Sequence, residues 1–295
     1  MTWRFAIVLE PAAPDDSRTD FTAGFREIDP SAPALSVGEL STQRGDGIFE
    51  SIGVVDGHAQ EVQAHLERLA HSARLCDLPI PHLEQWRQAV AVAASHCPPV
   101  GEGVIKLILS RGVEHGPAPT AWVTAAQAPD NTRVREDGIR VVTLDRGYSL
   151  DTPGRAPWLL LGAKTLSYAV NMAAIREAKR RGADDAIFVT SDGFVLEAPT
   201  ASLVLRSGDR FVTPSPNAGI LHGTTQLSLF DHLADIGHET AYETIPAATL
   251  AQADAAWLLS SVRLAAPITA IDGVELPVDR ELTASINAYL LSPRD

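Results

Sequence analysis

The chain has 295 residues, 45% of them hydrophobic and 21% charged, a balance expected of a folded protein long enough for two domains. Its formal net charge of −13 is spread without any Lys/Arg-rich block, which argues against a nucleic-acid partner and leaves room for an anionic small-molecule substrate. No apolar stretch approaches the roughly 20 residues needed to cross a bilayer, so no membrane association is expected.

In chain order, residues 5–9 read as a strand, too short and isolated for the apolar core of a secretory signal. Residues 12–20 are turn-rich and predict an exposed loop. Gly47–Val55 is the next strand. Val62–Leu75 is predicted to be helical, because Val62, Leu66, Leu69 and Ala73 recur on one face. Leu83–Ser95 is a second helix, with Trp86, Val90 and Ala93 turned inward. Residues 104–110 and 121–125 are strand-like. Cys76 and Cys97 offer neither a disulfide framework nor a metal-ligand spacing, and they fit a reducing, cytoplasmic compartment. The stretch 128–138, with Pro129, Asp130, Asn131 and a charge cluster, reads as a linker. It predicts a small α+β domain over residues 1–132 and a larger, sheet-rich domain over residues 133–295.

In the second block, residues 139–144 form a strand, and the apolar run 159–161 reads as a strand that delivers Lys164 to a helix over 167–181. Gly182 stops that helix, as a glycine just past a C-terminus commonly does. Asp192-Gly193 and Ser207-Gly208-Asp209 sit between apolar runs and predict two hairpins, 186–197 and 202–213. A helix over 224–236 is expected to turn Leu227, Phe230 and Ala234 to one face. Ala255–Ser260 is a buried strand, and residues 281–291 form a closing helix.

Four positions carry candidate chemistry, each with a plainer alternative. Lys164 is either a solvated loop residue or an amine whose pKa falls on desolvation, making it a nucleophile for a cofactor aldehyde. Glu197 is either a solvated strand-end carboxylate or the partner of a pyridine nitrogen. His222-Gly223-Thr224-Thr225 is either an ordinary helix entry with a threonine cap or a phosphate site built from helix N–H groups and two hydroxyls. Arg68 is either part of a solvated helix face or a guanidinium that reaches the same phosphate. The nine histidines show no close pairing with carboxylates of the kind metal sites use, so no metal is expected.

The joint pattern resembles the fold-type IV pyridoxal-phosphate enzymes, the aminotransferase class IV family. Five segments carry the resemblance: Arg44-Gly45-Asp46-Gly47-Ile48-Phe49-Glu50, His65-Leu66-Glu67-Arg68-Leu69, Lys164 with its following helix, Asp192-Gly193 to Glu197, and Leu221-His222-Gly223-Thr224-Thr225. The resemblance implies that Lys164 forms the Schiff base and that Glu197 contacts the pyridine nitrogen. It implies that Arg68, Thr224 and Thr225 hold the phosphate. It also implies a two-domain α+β fold with a barrel-like second domain, the cofactor in the interdomain cleft, and a homodimer. Where the family commonly has Gly-x-x-x-Asn after the glutamate, this chain has Ala198-Pro199-Thr200-Ala201-Ser202, so specificity does not transfer from a typical aminotransferase.

Within the family the likeness is greatest to 4-amino-4-deoxychorismate lyases. Thr42-Gln43-Arg44-Gly45-Asp46-Gly47, Lys164-Thr165-Leu166 and the stretch from Gly103 to Gly112 resemble theirs. That likeness implies release of 4-aminobenzoate and pyruvate for folate synthesis, with Lys164 as general base and Thr42 aiding protonation of pyruvate. Lys106, Arg111 and Arg263 are candidates for the substrate carboxylates. Their alternatives are an outward residue of an edge strand, a solvated turn residue and a surface ion pair. An aminotransferase acting on D-amino acids or branched-chain amino acids would use the same cofactor residues, and a cofactor-binding scaffold without turnover is the reading from another class.

Overall fold

The computed structural model describes residues 4–295, with side-chain surroundings from residue 5 onward; residues 1–3 of the predicted first domain lie outside the described part. Two compact units emerge. The first comprises residues 1–129, 163–168 and 293–295, and the second residues 130–162 and 169–292.

Period-two alternation builds the first unit. Its strands β1 (Arg4–Leu9), β2 (Phe25–Glu27), β3 (Gly47–Val55), β4 (His58–Ala59), β5 (Glu102–Ser110) and β6 (Thr120–Gln127) form one antiparallel sheet in the order β2-β1-β6-β5-β3-β4. Helix α1 (Leu40–Gln43) precedes β3. Helices α2 (Val62–Leu75) and α3 (Leu83–Ser95) follow β4, with the bounds the apolar spacing predicts. Helix α2 packs on β3, and α3 on β1, β5 and β6. Ile48, Ile52, Ile105, Leu107 and Val123 from the strands are buried, as are Leu66, Leu69, Trp86 and Val90 from the helices. At about 25 cal/mol per Å² of apolar area, this core is the main favourable term for the unit.

The second unit contains α4 (Thr132–Asp137), β7 (Ile139–Asp145), α5 (Thr152–Arg155), α6 (Ala169–Arg180) and β8 (Asp185–Val189). It continues with β9 (Ser202–Ser207), β10 (Arg210–Pro214), α7 (Thr224–Asp235) and β11 (Glu239–Glu243). It ends with β12 (Ala255–Ser260), β13 (Leu264–Ile271), β14 (Val274–Glu275) and α8 (Arg280–Leu291). The sheet runs β11-β10-β9-β12-β13-β7-β8, with β14 beside β13. It is mixed: β10/β11, β13/β7 and β7/β8 are parallel pairs. Strand β12 is apolar at nearly every position because both faces are covered. Ala256 and Leu258 join one core with Leu203, Ile187 and Ile268. Trp257 and Leu259 join the other with Phe211, Leu229, Phe230, Leu233 and Ile286.

Several expectations are corrected. Residues 159–161 are not a strand: Pro157–Leu159 is a 3-10 turn and Leu160 is left-handed, with φ 53°. Helix α6 starts at Ala169, five residues past Lys164, so the lysine is not at a helix start. The backbone around Lys164 extends the first sheet instead. Phe49 N donates to Lys164 O at 3.0 Å, Leu166 N donates to Gly47 O at 2.8 Å, and Ile48 bridges Thr165. This pairing draws residues 163–168 into the first unit, so a single cut between residues 132 and 133 does not describe the units. The expected linker holds helix α4. In the 186–197 hairpin the second arm is irregular, although Thr190 N donates to Phe194 O at 2.7 Å and Leu196 N to Phe188 O at 2.8 Å. The buried side of α7 is Thr225, Gln226, Leu229, Phe230 and Leu233, and Ala234 is exposed. Among the described residues no helix is long and apolar enough to cross a membrane, and no group of three His, Cys, Asp or Glu side chains could hold a metal ion.

Candidate active site

In the first unit, the side chain of Lys164 is half-buried beside two aromatic rings. Its Nζ lies 4.6 Å from the centroid of Phe49 and 6.0 Å from that of Tyr168, and these two rings meet edge to face at 5.3 Å. Its backbone N donates to Ser72 Oγ at 3.1 Å. Ser72 is four residues past Arg68, so both stand on one side of α2. One helix thereby fixes the lysine backbone and carries the arginine proposed for the phosphate.

Arg68 is not on a solvated face. Its Nε donates to Glu50 Oε1 at 2.8 Å and its Nη2 to Glu50 Oε2 at 2.7 Å, a two-pronged, charge-assisted contact. His65 Nδ1 lies 2.7 Å from the same Oε2, and both His65 and Glu50 are fully buried. Burial works to raise the Glu50 carboxyl, but the Arg68 guanidinium and the His65 ring outweigh it and hold it far below the usual carboxylate range. Burial pushes the His65 ring below its ordinary value, against the pull of Glu50. With Glu50 ionised and acceptor-only, a neutral His65 carries its proton on Nδ1 and donates it there. Neither residue was assigned a role from sequence. The signal was present: Glu50 falls at an inward position between Ile48 and Ile52, and His65 lies one turn before Leu69 on the apolar face of α2.

Thr42 is on α1 and exposed. Its Oγ1 donates to Glu39 O at 2.8 Å. Glu39 anchors this loop from within the unit, where it is 1% exposed. It accepts from Ser110 Oγ, and from Thr120 Oγ1 at 2.7 Å. Burial opposes ionisation, yet these hydroxyls and the Ser41 amide hold the Glu39 carboxyl below its ordinary value. The other end of the loop touches the lysine segment, where Ser167 Oγ donates to Gly45 O at 3.2 Å. A side chain at Gly47 would come within 2.8 Å of Leu109 O, so this approach needs glycine.

The proposed carboxylate binders are placed differently. Lys106 is exposed on β5, an internal strand between β6 and β3 and not an edge strand. Arg111 is committed within the fold: its Nε donates to Asp46 Oδ2 at 2.7 Å, Nη1 to Asp77 O at 3.0 Å and Nη2 to Cys76 O at 2.8 Å. In the second unit, Arg263 Nη1 pairs with Asp185 Oδ2 at 2.8 Å, with the two side chains only 19% and 5% exposed, so the pair is not a surface one. Its Nε and Nη2 are buried with no hydrogen-bond partner among the described residues.

The second unit also gathers Glu197, Thr224 and Thr225 on one short stretch and its neighbours. Leu221 N donates to Glu197 Oε1 at 3.2 Å. Burial pushes the Tyr148 phenol up to about 12, and the Glu197 charge adds to that rise. Three residues past Leu221, α7 begins after Gly223. A side chain at Gly223 would collide with Ser202 Oγ, so Ser202, standing where the family commonly has asparagine, packs against the helix entry. Thr224 and Thr225 are each 3% exposed, and their Oγ1 atoms lie 3.4 Å and 3.2 Å from Ser261 Oγ. Three hydroxyls beside a helix N-terminus suit a phosphate ester, since each can donate and the helix favours negative charge. Ser261 is not among the residues that the sequence singles out. No pattern in the chain marks its hydroxyl, because the contact is made by a turn distant in sequence.

In the first unit an amine stands among aromatic rings, and in the second a carboxylate is fixed by a backbone amide and hydroxyls cluster at a helix start; each arrangement suits one part of a phosphate-bearing pyridine aldehyde. The family described as amino-transferase class IV matches residues 47–271. A bifunctional aminodeoxychorismate lyase / D-amino acid transaminase from Mycobacterium tuberculosis is 45% identical over 260 residues, 85% of this chain and 90% of the relative. A fold IV transaminase from Curtobacterium pusillum is 49% identical with a TM-score of 0.93, over 98% of this chain and 99% of that one. A hypothetical aminotransferase from Mycobacterium tuberculosis, solved in a PLP-bound form, is 41% identical with a TM-score of 0.88, over 99% of this chain and 100% of that one.

Proposed function

The chain belongs to the amino-transferase class IV family and uses pyridoxal phosphate, and we propose that it acts as a lyase on 4-amino-4-deoxychorismate, releasing 4-aminobenzoate and pyruvate. The observation that carries this choice is the loop of Thr42 to Gly47, anchored by buried Glu39 at one end and held by Ser167 beside Lys164 at the other. The relative named for both activities supports it and also favours a second reading, aminotransfer from D-amino acids. Branched-chain aminotransfer would use the same cofactor residues.

When bound, the cofactor supplies an aldehyde that captures an amine and a pyridinium that accepts the electron pair released at the amine-bearing carbon. In this reading Lys164 holds the cofactor covalently. Its Nζ, when not engaged with the cofactor, would remove the proton from the amine-bearing carbon of the substrate. Glu197 keeps the ring nitrogen protonated. Thr224 and Thr225 donate to the phosphate, and Arg68, aligned by Glu50, adds its guanidinium. Thr42 assists proton delivery to the departing pyruvate. Lys106 serves a substrate carboxylate, and Arg263, whose Nε and Nη2 have no partner among the described residues, serves another. The donors of Arg111 are engaged by Asp46 and two carbonyls, so we assign it to holding the loop for substrate and not to direct contact.

The assay follows 4-aminobenzoate and pyruvate together after 4-amino-4-deoxychorismate is added to the loaded enzyme. Equal yields of both are expected. Turnover of D-alanine with α-ketoglutarate, and no aromatic product, would overturn the lyase reading in favour of aminotransfer.

We also assign the chain to a cytoplasmic homodimer. The second unit exposes Trp158 at 74%, Val170 at 55% and Met172 at 43%, large apolar side chains of the kind that partner surfaces cover. Light scattering on the purified protein should give twice the 31.5 kDa of one chain. A mass of one chain at micromolar concentration would reject the dimer.

A further inference from the structure

The stretch that reads as a linker contains a buried arginine with a specific task. Arg135, on α4, is 7% exposed. Its Nε donates to Arg263 O at 2.9 Å and its Nη2 to Val262 O at 3.1 Å. Asn131 Nδ2 adds a longer bond, 3.4 Å, to the same Val262 carbonyl. These carbonyls belong to the turn between β12 and β13, and Ser261 is the residue before them. The turn is held a second time by the ion pair of Arg263 with Asp185. The next residue, Leu264, has φ 62°, a left-handed conformation that strains a residue with a side chain and persists where its surroundings over-determine it.

We propose that Arg135 is a positioning residue for the cofactor phosphate: it clamps the Val262 and Arg263 carbonyls so that Ser261 Oγ is held against the hydroxyls of Thr224 and Thr225. The inference rests on the reading of Thr224 and Thr225 as phosphate ligands. A hydroxyl on an unrestrained turn would have to be ordered at each binding event, at the expense of affinity. A clamped turn has that ordering built into the fold. The residue type matters. A guanidinium presents donors in a rigid plane and can address two successive carbonyls at once, whereas an ammonium is a single point that satisfies one at a time.

The test compares pyridoxal 5′-phosphate with pyridoxal, which has the same aldehyde and ring but no phosphate. Dissociation constants for both are measured on the full chain resolved of cofactor, for the wild type, Arg135→Ala, Arg135→Lys and Thr225→Val. Arg135→Ala is expected to weaken the phosphate ester about tenfold while changing pyridoxal by less than about twofold, with Arg135→Lys between wild type and alanine. Equal weakening of both ligands would mean that Arg135 serves only general stability, and would overturn the proposal. If Thr225→Val lowers the preference for the phosphate ester and the Arg135 variants do not, the phosphate site stands and the clamp is rejected. If none of the variants lowers it, the phosphate reading itself fails. Should Arg135→Ala not fold, the lysine variant decides alone: a reduced preference supports the clamp and an unchanged one refutes it.

Discussion

Lys164→Ala is expected to leave no cofactor that borohydride can trap on the chain, and to lower turnover by about three orders of magnitude or more. The size follows from two losses at once. A positioned general base contributes roughly 10²–10⁴ in rate, and in the proposed function the same amine is the covalent tether of the cofactor. The assignment has little competition, because the whole sequence contains three lysines, Lys106, Lys164 and Lys179. Lys106 and Lys179 are exposed, whereas Lys164 is half-buried against Phe49 and Tyr168. Reduction of the loaded wild type followed by peptide mapping should place the added mass on the peptide containing Lys164. A trapped cofactor that persists in Lys164→Ala, on either other lysine, would remove the central residue from the mechanism.

How much of this could be read in advance depends on how local the determinant is. The bounds of β3, α2 and α3 follow from periodicity and those of β12 from an unbroken apolar run, which neighbouring residues set by themselves. The segment around Lys164 departs from its strand-like composition for the opposite reason. Its leucines have strand composition, but the pairing that fixes residues 163–168 is made by Gly47 and Phe49, more than a hundred residues earlier. The stretch 128–138 has the polar, proline-containing composition of a linker. Arg135 within it is nonetheless buried, donating to carbonyls of a turn near residue 262, which no local pattern reveals. Among the candidate residues, Lys164, Glu197, Thr224 and Thr225 are singled out by a joint motif and not by any one of them alone. Glu50 lies within that motif, and as a carboxylate at the inward phase of an alternating strand it implies a buried partner.

That carboxylate gives the second large effect. Glu50→Gln is expected to destabilise the first unit by about 3–5 kcal/mol at neutral pH, the usual result of breaking a buried ion pair by changing one partner. The amide would keep the volume. It would also turn hydrogens toward Arg68 or His65, where the structure requires two acceptors. The pH dependence identifies the cause. Glu50 and His65 both have folded-state values below their unfolded ones, 4.5 and 6.5. Their contribution to stability is therefore complete above those unfolded values and is lost as the pH falls through the folded ones. For His65 the loss begins below about 6.5, and for Glu50 below about 4.5. The gap between wild type and Glu50→Gln should be widest at neutral pH and should narrow below about 4.5, as the wild type gives up what the variant never had. Thermal unfolding between pH 4 and pH 8 measures it, and a gap independent of pH would reject an ionised anchor. A double variant, Glu50→Leu with Arg68→Met, supplies the complementary sign. Removing both charges leaves no buried unpaired charge, and only the neutral His65 donor loses its acceptor, so it should be more stable than Glu50→Gln even though it has lost the guanidinium proposed for the phosphate. Stability would then recover while cofactor affinity stays low, because the pair would owe its place in the fold to aligning Arg68 and not to holding the unit together.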